Sequence, residues 1–428
     1  MINKTLSIKK LKFVLLFLLL SVLPVACGEG DTYYLNGLDY QEKNGYEDIV
    51  GQGPRPGEIM AERVKNYLLE DLDYLEARVR ANAAALAGPV YRRTRTDIWQ
   101  QFETLREDIH ANAFRFGGRG ILEESMEFAT SWFEGEINQM GVRQRGLLHF
   151  GEWWSFFDGA RSASNFPQNI GHRGNIAINI LEQDKIAYIR VRHAFASIQE
   201  DRDALMPFLR EIQNYEHLII DIRTHGGGFV CHFMEVILKP LIGEPLHFSY
   251  SQFFTSGGHF TSMIENAWPL HVLIQPTAYS FHHNIYSAAE FVEKHNMIYF
   301  NQEDLGHLAY AVELHRTYKP AEDGYPFNGK IWLLIDGSTA SAGEHAVITT
   351  MSSGFATVVG SPTLGVMPSE STSIFLPNTR LRIRLDIGYF TDAYGRSLTE
   401  FGISPHYRNR PGMDALQTVL AMIEEGAH

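Results

Sequence analysis

The run Leu218-Ile219-Ile220-Asp221-Ile222-Arg223-Thr224-His225-Gly226-Gly227-Gly228 sets the terms on which the rest of the chain is read. From His217 to Ile222 the residues are almost continuously apolar, as in a strand whose sheet is covered on both faces. Three glycines follow, and then an apolar segment through Leu238 that reads as a helix. A strand that breaks into glycines before a helix lets the backbone approach a ligand and aim N–H groups at it. Such a turn can stabilise the oxyanion of an acyl-transfer intermediate, and it can equally be an ordinary tight turn.

Downstream, the pattern recurs. Lys330 to Ile335 is a second buried strand, followed by Asp336-Gly337-Ser338-Thr339-Ala340-Ser341-Ala342-Gly343-Glu344, with a helix expected from Ser341 to Met351. A serine at a helix start gains from the free N–H groups and the positive end of the dipole; taken alone it reads as an N-cap. The segment lacks the Gly-x-Ser-x-Gly elbow of α/β hydrolases, because Thr339 stands at the first glycine. A third strand and turn follow at Val358-Val359-Gly360-Ser361-Pro362-Thr363-Leu364-Gly365.

Around these segments, strands are expected at Ile176–Ile180, Ile186–Val191, Ala356–Val359, Ser373–Phe375 and Leu381–Ile387, and helices at Asp201–Ile212 and Asp414–Ile423. Residues 247–325 are rich in aromatics and histidine with weak periodicity. Upstream, Ile59, Val64, Leu68, Leu72 and Leu75 recur at helical spacing, and Thr96–His110 and Leu122–Met140 also read as helices. The fold class expected is α/β: an α/β domain over 175–428 behind a helical domain over 57–165.

The N-terminus reads as an export signal. Lys4, Lys9, Lys10 and Lys12 precede an apolar run from Phe13 to Val22, too short for a good membrane span. Leu23-Pro24-Val25-Ala26-Cys27 then resembles a bacterial lipobox, so residues 1–26 are expected to be removed, Cys27 to carry the lipid, and 27–56 to form a tether. A lipid-anchored protein of the cell envelope is the expectation, with plain secretion the alternative. The net charge of −13 argues against a nucleic-acid partner. No Gly-x-x-x-x-Gly-Lys phosphate loop is present, and His282, His283, His295 and His307 match no helix-face ligand pair, so neither a cofactor nor a metal is expected.

In order and spacing, the three strand-and-turn segments resemble the tail-specific (C-terminal processing) serine peptidases. That family shows Asp-Leu-Arg-x-Asn-Gly-Gly-Gly, then Thr-Ala-Ser-Ala-Ser-Glu, then Val-Gly-x-Pro-Thr-x-Gly-Lys. The run Glu400-Phe401-Gly402-Ile403-Ser404-Pro405-His406 is similar to its ending, Glu-x-x-Gly-Ile-x-Pro-Asp. The resemblance covers about residues 175–425. It implies a crotonase/Clp-like core and hydrolysis of peptides or protein termini through an acyl-enzyme. By the same resemblance Ser341 is the nucleophile, the N–H of Ala342 and the backbone of Gly226 and Gly227 form the oxyanion hole, and Glu344 and Thr363 support the site.

The general base departs from the family pattern. The lysine expected after the last motif glycine is Val366, which cannot accept a proton. The branch resembling the tricorn core uses a histidine in an Asp-Gly-His-Thr segment with a late glutamate. Here Glu400 matches the glutamate, but Asp158-Gly159-Ala160-Arg161 puts Ala160 where histidine is expected. The histidines near motifs are His172, His193, His225 and His345, with His172 the first choice by location. Two functions stay open: an exported serine endopeptidase, and a catalytically silent lipoprotein binding a peptide or apolar ligand on the same fold.

Overall fold

The computed structural model describes residues 56–83, 98–112, 114, 122–143, 148–150, 174–258, 260, 282–367 and 371–426. Cys27, Ala160 and His172 lie outside the described residues. In chain order the elements begin with helices α1 (Pro56–Asn82), α2 (Ile98–Ala111) and α3 (Leu122–Arg143) and strand β1 (Leu148–Phe150). There follow β2 (Ile176–Glu182), β3 (Ile186–Val191), α4 (Ile198–Ile212), β4 (His217–Asp221) and α5, which starts at Val230–Phe233 and continues through a π-helical turn to Leu241. Next come β5 (Leu246–Phe254), β6 (His282–Ser287), α6 (Ala288–Lys294), α7 (Gln302–Leu305), β7 (Tyr310–Tyr318), β8 (Lys330–Ile335), α8 (Ala342–Ser353) and β9 (Thr357–Gly360). The chain closes with β10 (Ser371–Phe375), β11 (Arg382–Asp386), β12 (Tyr389–Phe390), α9 (Leu398–Phe401), β13 (Tyr407–Arg408) and α10 (Ala415–Glu424).

The central sheet has the order β13-β9-β8-β4-β3-β2. All its pairings are parallel except β2–β3. Its middle strands are apolar at Leu218–Ile220 of β4 and Ile331–Ile335 of β8, because both faces are covered. Leu218 and Ile220 of β4, with Leu333 and Ile335 of β8, face one core. Ile219, Trp332 and Leu334 face the other, formed with Ala415, Leu416, Val419 and Ile423 of α10. Helix α10 begins with a reciprocal cap: Asp414 accepts the Gln417 N–H at 2.8 Å, and the Gln417 side chain accepts the Asp414 N–H at 2.9 Å.

The expected strands and helices are present, with two differences. The segment 247–325, without legible periodicity, contributes β5, β6 and β7, which with β12 form a four-stranded antiparallel sheet in the order β12-β5-β7-β6. Leu148–Phe150, inside the segment expected to be helical, is a strand pairing with β11 in a three-stranded sheet. No described helix is long and apolar enough to cross a membrane.

Helix α1 is fastened to the core by one buried carboxylate. Asp71 accepts the N–H groups of Asn378 and Thr379, each at 2.8 Å, and the Thr379 hydroxyl at 2.6 Å. Burial pushes its pKa above the ordinary carboxylate value. Asp71→Ala leaves these donors without their acceptor, and a loss of about 2 kcal/mol is expected. Urea unfolding of the two proteins measures it; an unchanged midpoint would mean that the hairpin turn does not hold the helix.

Candidate active site

Three turns at the carboxyl ends of β4, β8 and β9 meet at one point, and polar groups within them tie them together. At the end of β4, Asp221 is fully buried and accepts the Arg223 N–H (2.9 Å), the Arg223 guanidinium (2.6 Å) and the Tyr188 hydroxyl (2.7 Å). Arg223 also approaches Asp414 at 3.1 Å, so the motif's acid–base pair anchors the turn to the start of α10. Thr224, at φ 63°, turns the chain. Its N–H donates to Asp336 Oδ1 at 3.0 Å, an oxygen that also accepts the Ser338 N–H at 2.9 Å. Thr339 Oγ1 donates to Ile222 O at 3.1 Å, and Ala340 N–H donates to His225 O at 2.9 Å. Asp336 is a site-building residue that the motif reading passed over; a strand-ending Asp before Gly-Ser-Thr carries Asx-turn chemistry and could have been singled out.

Ser341 stands directly before α8 with φ 54° and ψ −119°. A non-glycine residue with positive φ occupies a strained region, and such residues cluster at functional sites. Ser341 and Glu344 stand in capping-box register. The Ser341 N–H reaches Glu344 Oε2 at 3.3 Å, and the serine holds the N-cap place before α8. Gly227, at φ 114°, lies against the serine: a Cβ built there would fall 2.7 Å from Ser341 Cβ and 3.1 Å from its Oγ. The sequence-predicted glycine turn and serine turn are therefore in contact. The N–H groups of Gly226 and Ala342 donate to no acceptor among the described residues, whereas Gly227 N–H donates to His225 Nδ1 at 3.3 Å.

The third turn is held by Glu344, which is fully buried. Its carboxylate accepts the Thr363 hydroxyl (2.5 Å) and the N–H groups of Gly365 (2.8 Å) and Val366 (2.6 Å) as well as that of Ser341. Ser341 N–H also donates to Val366 O at 2.9 Å. The residue in the lysine position is thus beside the serine, joined to it through its backbone, with an apolar side chain. Burial pushes the Glu344 pKa up to about 7 against the opposing pull of these hydrogen bonds. Thr363 in turn accepts the Ile403 N–H at 2.7 Å. Glu400 lies in α9, whose Leu398 and Thr399 carbonyls pack against Gly365.

The described histidines divide clearly. His345 is a core residue of α8: it packs edge-on against Phe248 and Tyr250, its Nδ1 lies 3.5 Å from Thr349 Oγ1, and burial holds its pKa well below the usual value. The half-buried ring of His193 accepts the Phe195 N–H at 3.3 Å. His225 lies beneath the glycine turn. None of the three hydrogen-bonds the Ser341 hydroxyl. Among the described residues, no group of three or more His, Cys, Asp or Glu could hold a metal ion.

Comparison with known proteins gives a family match and distant structural likenesses. The model of peptidase family S41 matches residues 185–408. No curated protein sequence matches the chain. Among solved structures, a candidate peptidase from Parabacteroides merdae is 13% identical over 85% of this chain and 96% of its own, with a TM-score of 0.47. Mature CPAF complexed with lactacystin is 12% identical over 85% of this chain and 98% of its own, with a TM-score of 0.49. A lipoprotein from Streptococcus agalactiae is 13% identical over 89% of this chain and 99% of its own, with a TM-score of 0.40.

Proposed function

Because the chain belongs to peptidase family S41, we propose that it is a serine-type endopeptidase that cleaves peptides or protein termini through an acyl-enzyme on Ser341. The observation that carries the reading is the contact between a strained serine at a helix start and a glycine turn whose Cα lies against its side chain. In the proposed reaction the Ser341 hydroxyl attacks the scissile carbonyl. The free N–H groups of Ala342 and Gly226 receive the oxyanion, with that of Gly227 once it is released from His225. Glu344 and Thr363 hold the loop that flanks the serine. His172 is the proposed base, with Glu400 orienting it, since Val366 cannot take a proton. Export and a lipid anchor on Cys27 belong to the same proposal.

A second reading, a catalytically silent binding lipoprotein, is favoured by one observation: no described histidine hydrogen-bonds the Ser341 hydroxyl. Fluorophosphonate labelling read by intact mass separates the two. The peptidase reading expects one adduct on the wild type, none on Ser341→Ala, and strongly reduced labelling of His172→Ala. A folded wild type that takes no adduct would favour the binding protein.

A further inference from the structure

His225 occupies a place that the acyl-transfer reading leaves unused. Its ring is fully buried between the glycine turn and the first turn of α8. The space exists only because residue 343 is glycine: a Cβ there would lie 2.9 Å from His225 Nδ1. Nδ1 accepts the Gly227 N–H at 3.3 Å, so the ring is neutral and carries its proton on Nε2. Burial, with His232 adding to it, holds the pKa at about 3, in keeping with a neutral ring. Nε2 is buried and has no hydrogen-bond partner. Among the described residues, the bond from Gly227 is therefore the only hydrogen bond that selects the tautomer. His232 makes no hydrogen bond to the ring; its own Nε2 is held by Asp201 Oδ2 at 2.7 Å.

This arrangement fixes the direction of one peptide. The chain contains no cis peptide among the described residues, so the Gly226 carbonyl points away from the Gly227 N–H. With the N–H turned in to His225, the peptide presents its carbonyl, not its donor, on the opposite side. Gly227 is also the residue whose Cα lies against the Ser341 side chain. An oxyanion forming at Ser341 is repelled by a carbonyl and stabilised by an N–H. Gly226 and Gly227, the latter at φ 114°, flank this peptide, and neither brings the Cβ restriction that would oppose its rotation.

We infer that His225 is a positioning residue that latches the Gly226–Gly227 peptide in a resting orientation, and that acylation of Ser341 requires this peptide to flip and break the bond to His225 Nδ1. The inference rests on the peptidase reading for its consequence, but the latch itself exists whether or not the serine reacts. Asparagine at 225 keeps the latch, because its side-chain oxygen accepts the N–H two residues on. Leucine fills comparable volume and offers no acceptor.

Two measurements test this. The first is the ring ¹⁵N spectrum of the histidine-labelled protein, with the His225 signals identified by their loss in His225→Asn. The expected state is an unprotonated Nδ1 and a protonated Nε2, changing when the serine is phosphonylated. A protonated Nδ1 in the resting protein overturns the latch whatever the activity. The second is the rate of fluorophosphonate labelling of folded variants. His225→Leu is expected to label up to about tenfold faster than wild type, the worth of one weak hydrogen bond, and His225→Asn at close to the wild-type rate. A folded His225→Leu that labels no faster overturns the latch. If His225→Leu does not fold, the ring spectrum, before and after phosphonylation, decides. If no protein labels, the peptidase reading fails, and the resting-state tautomer still decides whether the latch exists.

Discussion

Glu344→Ala is expected to lose about 3–9 kcal/mol of folding stability and all detectable labelling of Ser341, because three buried donors lose their acceptor at about 1–3 kcal/mol each. Those donors are the Thr363 hydroxyl and the N–H groups of Gly365 and Val366. Ser341 N–H keeps its second acceptor, Val366 O, but only while the loop stays in place. A loss of this size is a large part of the roughly 5–15 kcal/mol that typically holds a domain together, so the variant is expected to unfold at a far lower urea concentration. Glu344→Gln should fall between the two, since its NH₂ group would face an N–H donor. Were Glu344→Ala to keep the wild-type midpoint, the hydrogen bonds to this carboxylate would have no structural weight.

The same group gives the protein a pH signature. Burial raises the Glu344 pKa to about 7 from an ordinary 4.5. Between those values the folded state holds a proton that the unfolded chain has released. Stability from this group is therefore fully present below about 4.5 and is lost as pH rises through about 7. Unfolding free energies measured across that window should show a downward slope in the wild type that is flatter in Glu344→Gln.

The parallel core was legible in the sequence because its strands are buried on both faces. Unbroken runs such as Leu218–Ile220 and Ile331–Ile335 have no alternation to misread, and each leads into a turn rich in small residues. The second sheet was not legible. In β5, Phe248, Tyr250, Gln252, Phe253 and Phe254 are all buried, so alternation holds over the first part and breaks at a buried glutamine followed by two phenylalanines. In β7 the successive residues His315, Arg316 and Thr317 point to alternate faces yet are all half-buried, so no polar face stands apart from an apolar one.

At the site, residue types could be read but not their directions. Glu344 was placed by its motif, yet nothing in Ser-Ala-Gly-Glu says that one carboxylate collects donors from residues about twenty positions later. His345 follows it directly and looks equally eligible for chemistry. Its helical position turns it the other way, into the aromatic rings of β5. His225 stands where the family has asparagine, and its one-sided hydrogen bond to Gly227 depends on a glycine 118 residues away at position 343.

Gly227→Ala is expected to abolish labelling while leaving a folded protein. The methyl would sit 2.7 Å from Ser341 Cβ and 3.1 Å from Oγ, the first closer than side-chain carbons approach one another. One of the two residues must move. Alanine at φ 114° is strained as well, at a cost of about 1–3 kcal/mol. Ser341 cannot retreat freely, because its own φ of 54° already stores strain and its N–H is fixed to Val366 O and Glu344. The relief available is displacement of the hydroxyl or of the glycine turn, and a misplacement of about 1 Å can cost a hundredfold in rate. Gly243→Ala is the matched control: its methyl meets Pro326 Cβ at an ordinary 3.5 Å, so both stability and labelling should stay near wild type. Intact-mass labelling rates beside thermal unfolding of the three proteins separate the site effect from the folding effect. A Gly227→Ala protein that labelled at the wild-type rate would mean that the serine and the glycine turn do not share one site, and the acyl-transfer reading would lose the contact on which it rests.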